Sequence, residues 1–220
     1  MFGRTVKVII AICFIPVVTA STKAFFKGLH NLDFLNINTH LIIGGFFTYP
    51  IFHILFSRPM YIYALGHETV HVLATWLCGG KVLSFHVSDA GGNVTTTKTN
   101  LFIRLSPYFV PIHVIFLFFV YWILRRFLDI SGISNEFIFL VGFAMSFHIF
   151  MTIDVMKTKQ PDIVKTGYLF SVFLIYVANI FVLVGVLSFI FAEISFLSFV
   201  KNTLVFSKNI YLDIFSAIAK

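Results

Sequence analysis

Apolar residues in this chain come in long blocks, not in the alternating or 3.6-residue stripes of a soluble domain, and short polar or basic stretches part the blocks. The first block, Val8–Ala20, follows Arg4 and Lys7 and contains Pro16. No small-x-small site comes after it, so it is expected to stay on the chain as a first helix and not to leave as a signal peptide. Residues 24–39, with Lys27, Asp33 and several asparagines, read as a polar connection. A second block, His40–Phe56, carries Gly44, Gly45 and Pro50, which membrane helices tolerate because neighbours re-satisfy the freed backbone groups. It ends at Ser57-Arg58-Pro59, and a third block, Met60–Cys78, stops at Gly79-Gly80. The period then changes to two. Lys81–Val87 and Asn93–Thr97 are rich in β-formers around the turn cluster Asp89–Gly92, which predicts a hairpin over about residues 81–99 at the membrane boundary. Blocks 105–124, 137–156 and 168–192 are each near the roughly 20 residues that cross a hydrocarbon core. The tail from Ser195 to Lys220 mixes apolar residues with Lys201, Lys208 and Asp213, as an interfacial helix or a short final span would.

The expected fold is an all-α polytopic membrane protein: about six transmembrane helices in a single transmembrane domain, residues 1–220, with one short β-hairpin after the third helix. Composition agrees. Hydrophobic residues make up 59% of the 220 and charged residues 11%, with 30 phenylalanines, and mean hydropathy is +0.95. This excludes a soluble domain of useful size. The net charge of +7 then reads as basic loops beside anionic head groups, not as a nucleic-acid surface. Lysines and arginines divide equally between the two sides of an alternating six-span topology, so orientation stays open. Cys13 and Cys78 have neither disulfide-framework nor metal-site spacing. No internal repeat points to a transporter.

The chemistry concentrates in His67-Glu68-Thr69-Val70-His71, inside the third block. On a helix this H-E-x-x-H pattern sets two imidazoles one turn apart on one face with a carboxylate beside them, an arrangement that binds zinc and supplies a general base for hydrolysis. With eight histidines in the chain the pattern would arise by chance in roughly one such chain in 250. An ionisable group deep in an apolar helix is costly unless it is used or paired, which favours function over accident. His67 and His71 are the expected zinc ligands and Glu68 the catalytic base. A catalytic zinc needs a third protein ligand. Asp154 comes first, because a straight helix leaves it about 5 Å from the membrane face that His71 approaches. Asp162, after Pro161, and His148, deeper in the same block as Asp154, are the alternatives.

Ala64-Leu65-Gly66-His67-Glu68-Thr69-Val70-His71, then Trp76-Leu77-Cys78-Gly79-Gly80-Lys81-Val82 and a β-like stretch ending in glycines, resemble the site-2 protease family, most closely its bacterial and plant branch. The resemblance covers about residues 60–175. It implies an intramembrane zinc metalloprotease that cuts membrane-anchored protein substrates within the bilayer, with two histidines and a downstream aspartate holding Zn2+. A multi-pass protein of a bacterial inner membrane is the implied setting. Better-known members carry the aspartate in Asp-Gly, whereas Asp154 is followed by Val155 and Asp162 by Ile163. The resemblance therefore does not choose between them. The alternative function is a non-catalytic membrane scaffold or regulator that keeps the protease-like fold, and the sequence gives no oligomeric state.

Overall fold

Long apolar blocks become long helices in the computed structural model, which describes residues 4–56, 58–158 and 160–219. Ser57 and Lys159, both placed at helix ends by the sequence, lie outside the described residues. In chain order the elements are α1 (Arg4–Leu29), α2 (Ile37–Leu55), α3 (Met60–Leu77), β1 (Val82–Ser88), β2 (Gly91–Thr96), α4 (Leu101–Leu105), α5 (Ile112–Phe127), α6 (Ser134–Met156), α7 (Pro161–Thr166), α8 (Tyr168–Ile190) and α9 (Phe196–Ile218). The protein is mostly helical, with one antiparallel two-stranded hairpin pairing Phe85 with Val94 and His86 with Asn93.

The polar connection expected at 24–39 is shorter than that. α1 runs on to Leu29 with Lys27 in its last turn, where a cation complements the helix dipole. α2 starts after Asn36, whose side chain accepts a hydrogen bond from the Asn38 amide at 2.9 Å.

Among the described residues, three helices are long and apolar enough to cross a membrane: Thr5–Leu29, Ser134–Met156 and Tyr168–Ile190. A fourth apolar stretch, Leu101–Tyr108 with Ile112–Phe127, is bent by 74° at its break, where Pro111 stops a continuous ladder. The other two expected spans fall short for physical reasons. α3 carries His67, Glu68, Thr69 and His71 at its middle, and α2 carries Asn38, His40, two glycines, Pro50 and His53.

The chain divides into two compact units: a central one, Phe34–Asp162, and a terminal one that joins the residues up to Asp33 with those from Ile163 onward. The central unit is organised by α2 against α6. Their contacts advance together along both helices: Gly45 lies on Phe139 and Phe143, Tyr49 on Phe143 and Phe147, and His53 on Phe150 and Asp154. The two helices are therefore parallel, whereas spans alternating in direction would have set them antiparallel. The approach is close enough that a Cβ on Gly45 would strike the Phe139 carbonyl, and one on Gly142 the Ile42 carbonyl. Small residues that let helix backbones touch are the usual means of packing where lipid removes the hydrophobic drive between helices. Next to this seam Tyr49, Tyr63, Phe147 and Met151 form a buried cluster that joins α3 to the pair.

Gly142→Leu is expected to lower the thermal unfolding midpoint of the detergent-solubilised protein, because overfilling a closed contact costs about 1–3 kcal/mol. Gly185 in α8 has no atom within 4 Å of a built Cβ, so Gly185→Leu is the control. Equal midpoints for the two variants would contradict the close approach.

In the terminal unit α1 turns a buried row of small residues, Ala11, Ala20, Ser21 and Ala24, inward. Polar contacts fix it to α8 and α9: Thr22 Oγ1 lies 2.9 Å from the Tyr176 hydroxyl, and the Lys27 ammonium donates to Asn202 Oδ1 at 3.1 Å. The C-terminal tail forms the single helix α9, amphipathic and lined with exposed Leu197, Leu204, Phe215 and Ile218.

Candidate metal centre

The helical period of α3 sets His67 and His71 on one face, with ring centroids 5.0 Å apart and planes at 76°. Each ring is held by the chain that returns from the hairpin. The Nδ1–H of His71 donates to the Ile103 carbonyl at 2.8 Å. A carbonyl only accepts, so this bond fixes the tautomer and leaves Nε2 with a free lone pair. The Ile103 backbone is itself anchored: Asn100 Oδ1 caps α4 by accepting from the Ile103 amide at 2.8 Å, and Asn100 Nδ2 reaches Cys78 Sγ at the end of α3. His67 meets the Tyr108 ring edge to face, 4.9 Å between centroids. Its Nδ1 is buried without a hydrogen-bond partner, which is costly unless something engages the ring.

Asp162 completes the group. Its Oδ2 lies 3.4 Å from His71 Nε2, and His67, His71 and Asp162 each offer a ligand atom within 4.8 Å of the others. Ligand atoms on a tetrahedral zinc with bonds of 2.0–2.1 Å stand about 3.3 Å apart, so the His71–Asp162 separation is close to a tetrahedral edge. Two imidazoles and a carboxylate form a donor set suited to hydrolytic zinc, and with the unpartnered His67 nitrogen the residues fit the ion.

Glu68 is one position along from His67. It is 6% exposed, and its Oε2 is buried without a hydrogen-bond partner. The hairpin turn closes over it so tightly that a Cβ on Gly92 would strike Glu68 Cγ and stand 2.9 Å from Oε1. Any larger residue there would have to displace the Glu68 side chain. His67 and Glu68 open onto a cleft of about 190 Å³, walled by Ala64, Gly91, Gly92 and, from the segment after α6, Gln160.

Asp154, the aspartate favoured from sequence, is engaged elsewhere. Its Oδ2 accepts from His53 Nε2 at 2.9 Å and lies 3.3 Å from Arg58 Nε, while Oδ1 accepts from Lys157 Nζ at 2.7 Å. His53 then takes a hydrogen bond from the Tyr49 hydroxyl on Nδ1 at 3.0 Å. With both oxygens committed, Asp154 ties the end of α2 to the end of α6. The depth estimate that favoured it placed the ends of α3 and α6 on one face. Instead α6 ends beside the start of α3, where Met60 and Val155 line the same cleft. Asp162, in the first turn of α7, is the aspartate that reaches His71. His148 is buried on α6 but stands outside the converging group.

Tyr108, the Ile103 carbonyl, Gly92 and Gln160 were not singled out from the sequence. Gly91-Gly92 and the Pro107–Pro111 interval flagged turns there, but nothing local told which turn would face the histidines. No family model, curated protein or solved structure matches this chain.

Proposed function

We propose that this protein is an intramembrane zinc metalloprotease of the site-2 protease type, hydrolysing peptide bonds of membrane-anchored proteins in a bacterial inner membrane. His67, His71 and Asp162 are its zinc ligands and Glu68 its general base. The observation that carries this reading is the convergence of His67, His71 and Asp162 beside Glu68, whose Oε2 is buried without a partner, with His67 and Glu68 lining one cleft.

Zinc bound there would supply a Lewis acid for the scissile carbonyl and a more acidic water. The chain's own groups do the rest. Glu68 takes the proton from the attacking water and returns it to the leaving amine. The Ile103 carbonyl holds His71 in the tautomer that presents Nε2, and Tyr108 fixes the His67 ring edge-on. The small cleft walls, Ala64, Gly91 and Gly92, leave room for an extended backbone beside Glu68 but not for an intact helix, which is about 10 Å or more across with its side chains. A substrate helix must therefore unwind to be cut.

Metal content tests the assignment. Purified protein is expected to hold about one zinc per chain and to lose it when His67 and His71 are both changed to Ala. Stoichiometric zinc that persists in the double variant would remove the site from these residues.

A further inference from the structure

In the terminal unit, α1 and α8 end together at a cavity of about 100 Å³ beside α9. Both helices are long and apolar enough to cross a membrane, so the cavity lies where they leave the hydrocarbon. Its walls are apolar on the span side, with Leu187 and Phe199, and polar on the rim, with Lys27, Glu193, Ser198 and Asn202. The outer surface next to it is exposed and apolar, at Phe26, Phe189 and Leu197.

Two charges of opposite sign share this rim. The Lys27 ammonium gives one N–H to Asn202 Oδ1 and sits 5.7 Å from the Phe206 ring centroid. Three donors on an ammonium leave two for a ligand. Glu193 has no hydrogen-bond or ion-pair partner among the described residues. A solvated surface would place such charges anywhere. Here they border one cavity at the depth of the head groups, with an acyl-chain surface alongside.

We propose that this cavity binds the head group of an ethanolamine phospholipid. Its phosphodiester would take the two free N–H groups of Lys27, and its ammonium would donate to Glu193. The acyl chains would run along Phe26, Phe189 and Leu197. A glycerol head group offers nothing cationic to Glu193, and a choline head group offers no N–H donor, so the pair of charges selects ethanolamine. The inference does not depend on the zinc site, whose residues lie in the central unit.

The test is native mass spectrometry of the full chain taken from bilayers of phosphatidylethanolamine and phosphatidylglycerol mixed equally. The protein is expected to retain ethanolamine lipid with about a fivefold preference, the scale of one charge interaction at a membrane surface. Glu193→Gln should abolish the preference while leaving total lipid retention near normal. Lys27→Ala should lower retention of both lipids, and Asn202→Ala, which frees the ammonium without removing charge, should lower it less. Equal retention of both lipids by the unaltered protein, or a preference unchanged by Glu193→Gln, would overturn the proposal. Saturable binding of soluble phosphoethanolamine by lipid-free protein, as tight as that of the lipid, would transfer the cavity to a solute and overturn the lipid assignment.

Discussion

Changing Asp162 to Ala is expected to abolish both stoichiometric zinc and peptide cleavage, whereas Asp154→Asn leaves zinc bound. Asp162 Oδ2 stands 3.4 Å from His71 Nε2, and removing a ligand from a three-ligand site costs more than the 10–100-fold in affinity that loss of an outer partner costs. Asp154 is spoken for by His53, Arg58 and Lys157. Its conversion to Asn keeps the shape but gives up three charge-assisted contacts, so it should register as lost thermal stability and at most about a tenfold loss in zinc affinity. The measurement is zinc per chain after dialysis against a graded series of chelator, alongside a thermal scan of each variant. Loss of zinc in Asp154→Asn with retention in Asp162→Ala would reverse the assignment of the two aspartates.

Glu68→Gln should lower the rate of substrate cleavage by about 10²–10⁴-fold, the usual contribution of a positioned general base, with zinc content unchanged. Glutamine fills the same space under Gly92, so packing at the turn is preserved while the proton acceptor is lost. The pairing of results matters. Cleavage lost with metal and melting temperature retained identifies Glu68 as the base. A cellular role that survives Glu68→Gln with zinc still bound would favour the scaffold reading, in which fold and metal matter and cutting does not.

The helical blocks, the hairpin and the histidine–glutamate motif were legible in the sequence because each is a local signal. Apolar run length, the change of period after Gly80 and the spacing of His67 and His71 need no partner to be read. What decides the third ligand is not local. Whether Asp154 or Asp162 reaches His71 depends on the direction in which α6 passes α3, and that follows from the parallel seam at Gly45 and Gly142. Sequence shows those glycines as weak points of helices; only the facing carbonyls of Phe139 and Ile42 make them contacts. The extension of α1 through Lys23 and Lys27 was hidden for a related reason. Both ammonium groups lie over the Phe206 ring, 4.7 and 5.7 Å from its centroid, which keeps charges on a helix that composition alone would have ended sooner.

The parallel seam of α2 and α6 also bears on sidedness. Arg58 follows α2 and meets Asp154 near the end of α6. Arg125 and Arg126 close α5 near the start of α6, where Tyr121 stacks on Phe137 at 4.1 Å. A helix of the length of α6 separates its ends by about 35 Å, and α6 is apolar enough to cross. Arg58 and the Arg125-Arg126 pair therefore stand at opposite ends of the apolar α6, and Lys157 joins Arg58.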